Sequence, residues 1–330
     1  MSRNHLTFYC ELDTPALTAL LSDSSIVQEL GALHAGVSLA LQDFSAERAA
    51  AVQQLNRAGI PMIAWLLVPQ AQGYFSHIGN APESTARYQE FRSWTQTYGL
   101  QWEAVGLDIE PPLDELRQMT REPLPVLRLW ASRLFDNERV LQGLNGYREL
   151  ARRIRADGYR VESYQIPMIV DERQLGSTFL HHFMSLVDVP VDREVLMLYS
   201  SLIPPHGPGP LLIYGASAGA IAIGSTGGGI DEQPKLAWEE FCRDLRIARR
   251  LNDDIYVFSL EGCVQQGFLS RIKTINWDER VVVPLEEVEQ AQRMRSAIRA
   301  ILWTSMRPAL LVAVPAMLIL LRSLMARGRR

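Results

Sequence analysis

The chain has 330 residues, 47% of them hydrophobic, and a formal net charge of −4. That is enough apolar material for a large core, which excludes a disordered chain. Eight arginines and no acid lie from Gln290 onward, so the body before them is markedly acidic, which argues against nucleic acid as the main partner.

The first 280 or so residues alternate strand-like and helix-like segments. Leu6–Leu12 predicts a first strand, followed by one helical pattern that runs through "TPALTALLSDSSIVQELGALHAG" to its closing glycine. Val37–Gln42 predicts the second strand, with the helix "AERAAAVQQLNRAG" behind it. Pro61–Pro69 is the third, followed by a long loop and the helix around "STARYQEFRSWTQTYG". Ala104–Glu110 is the fourth, and a longer excursion then leads into the helical "GYRELARRIRADG". Tyr159–Met168, Glu194–Ser201, Ala220–Ser225 and Asp254–Gly262 predict strands five to eight, with a helix at "KLAWEEFCRDLRIARRL" after the seventh. Eight such alternations in a chain of this length predict an α/β fold, a closed (β/α)8 TIM barrel over residues 1–282.

Beyond the barrel, residues 283–306 predict an amphipathic connecting helix. Residues 307–330 predict a hydrophobic, helical, membrane-associated tail. The run Pro308–Leu321 is apolar on every side and is bounded by Arg307 and Arg322. Fourteen helical residues span about 21 Å, short of the roughly 30 Å of a bilayer core, whereas Ile301–Ala326 is long enough if its arginines reach the interface. Arginines flank both sides, so orientation stays open, and a shallow insertion broken at Pro315 fits as well as a span. The N-terminus has no apolar core of a secretory signal, and a lipid membrane on the cytoplasmic side is the expected partner of the tail.

The three cysteines, Cys10, Cys242 and Cys263, are widely spaced and predict neither a disulfide framework nor a metal site. Only Lys235 and Lys273 are lysines, which limits Schiff-base chemistry. His181 and His182 lie in a helix-like stretch away from the strand ends. No dinucleotide-binding GxGxxG follows the first strand, and no cofactor is expected.

In a (β/α)8 barrel, chemistry sits where strands end. The predicted ends carry Glu11 and Asp13, Gln42 and Asp43, Trp65, Asp108 and Glu110, Tyr164 and Gln165, Tyr199, Ser225, and Ser259 with Glu261. In "GLDIEPP" (Gly106–Pro112), Asp108 and Glu110 are two apart, so a strand points both to one side, and Pro111 and Pro112 fix the exit. Repulsion and desolvation raise the pKa of one member of such a pair. Glu110 is then the expected general acid, with Asp108 as its ionised partner. Tyr199 is the expected hydrogen-bond donor to substrate. Glu11, Trp65, Tyr164, Gln165 and Glu261 are the expected substrate-binding residues, with Trp65 and Tyr164 as stacking surfaces.

"EAVGLDIE" resembles the fourth-strand motif DxxDxDxE of the family 18 glycoside hydrolases, the chitinase-like barrels. The resemblance implies a carbohydrate substrate, with Glu110 as proton donor and Asp108 as the residue that assists an acetamido group. Met197 and Tyr199 fall on the family's sixth-strand Met-x-Tyr, and "IYVFSLEG" resembles its eighth strand. In this chain Gly106 stands at the motif's inner aspartate, Ser200 follows the sixth-strand tyrosine in place of an acid, and Phe258 stands in place of the eighth-strand tryptophan.

Two alternatives accompany this expectation. The loop "GSTGGG" (Gly224–Gly229) offers the backbone of Gly227, Gly228 and Gly229 to a phosphate, as in phosphosugar enzymes. A barrel with a decayed site that binds glycan, or a membrane-tethered scaffold, is the non-catalytic alternative.

Overall fold

A computed structural model describes residues 5–202, 207–229 and 234–307. Eight strands, β1 (His5–Cys10), β2 (Gly36–Ala40), β3 (Met62–Leu66), β4 (Ala104–Ile109), β5 (Arg160–Gln165), β6 (Arg193–Met197), β7 (Ala220–Gly224) and β8 (Asp254–Phe258), pair in parallel in chain order. β8 pairs with β1 and closes the barrel. The outer layer begins with α1 (Thr14–Ser22) and α2 (Ser24–Leu33), then α3 (Ala46–Arg57) and α4 (Ala81–Tyr98). The excursion after β4 forms α5 (Leu113–Arg121), α6 (Pro123–Ser132) and α7 (Asn137–Ala156). The second half carries α8 (Met168–Leu175), α9 (Phe179–Phe183), α10 (Gly209–Tyr214), α11 (Trp238–Leu251), α12 (Leu260–Gln265) and α13 (Leu285–Ser305).

The expected (β/α)8 barrel is therefore present, with local corrections. The single helix expected after β1 is two, because Asp23 breaks it: its carboxylate accepts the Ser25 N–H and caps α2. β5 stops at Gln165, since Pro167 lacks the N–H a strand needs and α8 starts beside it. β8 stops at Phe258, because Ser259 accepts the Gly262 N–H and caps α12.

Strand alternation divides the apolar residues into two cores. One set, including Phe8, Leu39, Val105 and Ile221, packs under the helices. The other, including Ile63, Val195, Ala222 and Tyr256, fills the barrel axis. Within the axis, Tyr256 donates to Glu162 at 2.6 Å, and Arg193 lies 3.7 Å from Glu162 and 3.2 Å from Asp254. Arg193, Asp254 and Arg160 open their strands, so this polar cluster sits at the N-terminal end and leaves the C-terminal end as the mouth.

The segment expected as a connecting helix belongs to the outer layer. α13 packs on α8 and α10, buries Ala291 and Leu302, and sends Arg295 and Arg299 to Asp171 at 2.9 and 2.8 Å. The apolar tail from Pro308 lies outside the described residues, among which no helix is long and apolar enough to cross a membrane.

Arg48, on α3, fastens the first two strand ends. It is fully buried, donating to the carbonyls of Ala40 (2.8 Å) and Leu12 (2.9 Å) and to Thr14 Oγ1 (3.0 Å). It also lies 3.3 Å from Asp43. Burial pushes the Asp43 carboxyl up, but hydrogen bonds from Ser45 and Thr14, with Arg48 beside it, overcome this and hold it at about 2. Removing the guanidinium would leave buried acceptors unpaired. Arg48→Met is expected to cost about 3–5 kcal/mol in urea unfolding. Arg48→Lys should recover little, because one ammonium cannot reach all three acceptors. A loss below about 1 kcal/mol in Arg48→Met would contradict this role.

Candidate active site

β4 carries Ala-Val-Gly-Leu-Asp-Ile, and its alternation sends Ala104, Gly106, Asp108 and then Glu110 toward the barrel axis. Val105, Leu107 and Ile109 face the helices instead. Pro112 starts the turn into α5. Asp108 and Glu110 emerge in a cavity of about 580 Å³ at the mouth of the barrel. Its deepest aromatic residues are Tyr9, Trp65 and Tyr164, with ring centroids of Tyr9 5.3 Å from Trp65 and 4.9 Å from Tyr164, both edge-on. Tyr199 and Phe258, 5.8 Å apart, form the wall from β6 and β8.

Glu11 enters the same cavity from β1, where it accepts the Tyr74 hydroxyl at 2.7 Å. Asp108 is only 3% exposed, and its Oδ1 has no hydrogen-bond partner among the described residues. Tyr9 Oη and Trp65 Nε1 are buried and unpartnered in the same way. Such atoms are costly to bury, so a ligand that pairs with them recovers that cost.

Burial raises the Asp108 carboxyl well above the usual range, and the charges of Glu110 and Glu11 raise it further. The Trp65 indole N–H opposes this weakly, from outside hydrogen-bond geometry. Glu110 keeps partial access to solvent, yet its desolvated setting pushes it up to about 7. This corrects the expectation of a plainly ionised Asp108. Asp108 is the deeper acid, so both members are raised and they titrate as a pair.

Of the expected site residues, Glu110, Asp108, Tyr199, Glu11, Trp65 and Tyr164 converge on the cavity. Gln165 does not: on β5 it faces the opposite way from Tyr164 and donates to the Val187 carbonyl at 3.0 Å. Glu261 sits behind the wall, where its Oε1 accepts the N–H groups of Glu11 at 3.2 Å and Gly229 at 3.4 Å. It positions these two rather than facing the cavity. Tyr9, Tyr74 and Phe75 were not expected. Tyr9 is legible by parity, two residues before Glu11 on β1. Tyr74 reaches the site from an irregular loop after β3, at a left-handed φ of 66° that no spacing rule signals.

The glycine loop expected to offer its backbone to a phosphate spends part of that backbone within the fold. Gly227, Gly228 and Gly229 all have φ between +85° and +103°, as expected of a tight glycine loop. The Gly227 N–H is spent on Ser225 Oγ and that of Gly229 on Glu261. A Cβ on Gly228 would lie 2.6 Å from Glu261 Oε1, and one on Gly229 3.0 Å from Glu11 Oε2. Carboxylates thus pack against Gly228 and Gly229 and the Lys235 side chain against Gly227, so the loop is not a purely cationic cradle.

The motif departures have physical causes. A Cβ at Gly106 would meet Tyr164 Oη at 2.2 Å, and that hydroxyl bonds Ser38 Oγ at 2.7 Å. The Tyr164 ring thus occupies the room an acid at residue 106 would need. Ser200 points away from the axis and donates to Asp244 on α11. His181 and His182 are buried on α9, bonded to the carbonyls of Leu186 and Thr178, and do not line the cavity.

A raised carboxyl makes stability fall with pH. The folded chain holds the Glu110 proton up to about 7, whereas the unfolded chain releases it near 4.5. Stability is therefore lost as pH rises through that window. Glu110→Gln removes the loss and is expected to match wild type at pH 4–5 and to exceed it by up to about 3 kcal/mol at pH 8. Urea unfolding at both pH values checks this, and a difference independent of pH would contradict it.

Scanned against family models and against curated proteins, the chain matches none. Among solved structures it is similar to the PgaB (BpsB) glycoside hydrolase domain from Bordetella bronchiseptica, at 9% identity and a TM-score of 0.49, covering 85% of this chain and 100% of that one. It is also similar to D-allulose 3-epimerase from Methylomonas sp., at 10% identity and a TM-score of 0.43, covering 91% and 98%. The pneumococcal virulence factor StrH, whose structure concerns N-glycan recognition and hydrolysis, stands at 8% identity and a TM-score of 0.45, covering 84% and 85%. Identities this low are a likeness of barrel architecture and assign no reaction.

Proposed function

We propose that this barrel acts on a glycan, hydrolysing a glycosidic bond with Glu110 as general acid and Asp108 as its electrostatic partner. One observation carries the proposal: two carboxyls of raised pKa share an aromatic cavity at the mouth of a barrel. Glu110, nearer to solvent, donates its proton to the departing oxygen as the glycosidic bond breaks, and a water molecule then adds to the anomeric carbon and returns a proton to Glu110. Positive charge that grows at the sugar ring favours the ionised form of Asp108, which leaves the pair's remaining proton on Glu110. Tyr9 and Trp65 offer polar atoms to sugar hydroxyls, and Tyr199 supplies a further hydroxyl beside the reacting centre.

Glu110→Gln is expected to cut turnover of aryl glycosides by roughly 10²–10⁴-fold. The loss should be smaller for very good leaving groups, which need less protonation. Because the acid must carry its proton, wild-type turnover should fall as pH rises through about 7. Equal rates in wild type and Glu110→Gln remove Glu110 from this role. The Gly106–Tyr164 contact favours a second reading, glycan binding without turnover, because no inner acid backs Asp108. Binding with no hydrolysis in wild type selects that reading.

The proposal includes tethering to a lipid membrane by residues 301–326. The apolar run Pro308–Leu321 supports it, as do Ile301 and Trp303, both exposed at the end of α13. Deleting residues 308–330 is expected to move the protein from the membrane to the soluble fraction with its unfolding curve unchanged. Full-length protein already in the soluble fraction would remove the tether.

A further inference from the structure

Resting on the carbohydrate reading above, we propose that Asn80 is a positioning residue for the cavity: its side-chain amide folds the loop after β3 so that Tyr74 is set on Glu11. Asn80 is 2% exposed and stands at the N-cap of α4, yet its side chain makes no capping bond to that helix. It turns back into the loop instead. Its Oδ1 accepts the His77 N–H at 2.9 Å and the Tyr147 hydroxyl at 2.7 Å. Its Nδ2 donates to the carbonyls of Gln72 at 3.0 Å and Phe75 at 2.9 Å. A primary amide has two hydrogens to donate and two lone pairs to accept with, so all four are used, and three of them serve the loop.

The placing of these bonds decides what they do. Gln72 and Phe75 bracket Gly73 and Tyr74, whose φ angles are 106° and 66°. A tyrosine holds a left-handed φ only where its surroundings impose it, and the two donors of Asn80 fasten the chain on either side of that turn. The turn aims Tyr74 Oη at Glu11 Oε1, 2.7 Å away. The same loop is tied to the strand of the acid pair. The Ser76 N–H donates to the Asp108 carbonyl at 2.7 Å, and the Leu113 N–H to the Gly73 carbonyl at 3.1 Å. Tyr147, buried on α7, also bonds Ser84 at 2.9 Å, so the amide is itself held from the outer layer. A glycan that touches Glu11 thus meets a carboxyl whose placing depends on Asn80, although Asn80 does not line the cavity.

The test is Asn80→Asp, since Asp caps a helix as well as Asn does but has no amide hydrogens for Gln72 and Phe75. Full-length protein is isotopically labelled at the tyrosine Cζ, whose NMR shift follows what the hydroxyl bonds, and Tyr74→Phe assigns the Tyr74 signal. In Asn80→Asp the Tyr74 signal should move toward that of free tyrosine. The signal of Tyr256, which donates to Glu162 at the other end of the barrel, should stay. Hydrolysis of a panel of nitrophenyl glycosides should fall by about 10- to 100-fold. In a Tyr74→Phe background the same change should cost at most about threefold, because both act through one bond. Should Asn80→Asp not fold, Tyr147→Phe, which takes one hydroxyl from the amide, must move the Tyr74 signal the same way. An unmoved Tyr74 signal overturns the inference and leaves the carbohydrate reading standing. So does wild-type turnover in Asn80→Asp, or its full loss repeated in the Tyr74→Phe background. Wild type that hydrolyses no glycoside of the panel overturns the hydrolytic reading and the positioning role with it.

Discussion

The cost of keeping negative charge at the mouth end of β4 governs this molecule. Alternation along the strand fixes where Asp108 and Glu110 point, and the aromatic rings around them remove much of the water that would stabilise both as anions. A third acid, Glu11, arrives from β1, and Tyr74 donates to it from a loop held in a strained left-handed turn. Asp108 and Glu110 lie too close to titrate alone, and burial raises both carboxyls. The same arrangement costs stability at higher pH.

The surroundings of the pair are built as supports. Glu261 ties the backbone of Glu11 to the glycine loop after β7, so a carboxylate that does not face the cavity still sets its wall. Tyr164 fills the room over Gly106 and anchors on Ser38. An acid at residue 106 and a tyrosine at residue 164 exclude one another, so Asp108 is backed here by aromatic rings. That exchange separates the site from the DxxDxDxE pattern it resembles. It leaves one pair of raised carboxyls in an apolar setting.

Much of the architecture was legible because periodicity is a local property. Eight apolar runs separated by helical patterns specify eight parallel strands, and the parity of β4 places its two acids together. Parity also accounts for the failure at Gln165: the end of a strand carries residues of both faces, and only one face reaches the axis. Glu261 misled for a related reason, since Ser259 caps a helix there and takes the residue off the strand. Contacts made across the fold left no local trace. Tyr74 on Glu11 and Tyr164 over Gly106 link residues 63 and 58 positions apart, and the anchoring of Arg48 on three carbonyl and hydroxyl oxygens is equally non-local. The glycine loop after β7 has the composition of an anion cradle, and its neighbours, Glu11, Glu261 and Lys235, are brought to it only by the fold.

The central claim is that Asp108 and Glu110 form a coupled pair of raised pKa. Carbon-detected NMR of protein labelled at the side-chain carboxyls, titrated from pH 4 to 9, measures this directly. The expected result is one carboxyl resonance assigned to Glu110 that titrates near 7, with the Asp108 resonance responding in the same range and the Glu110 transition moving down in Asp108→Asn. Both carboxyls titrating below pH 5, independently of one another, would contradict the account.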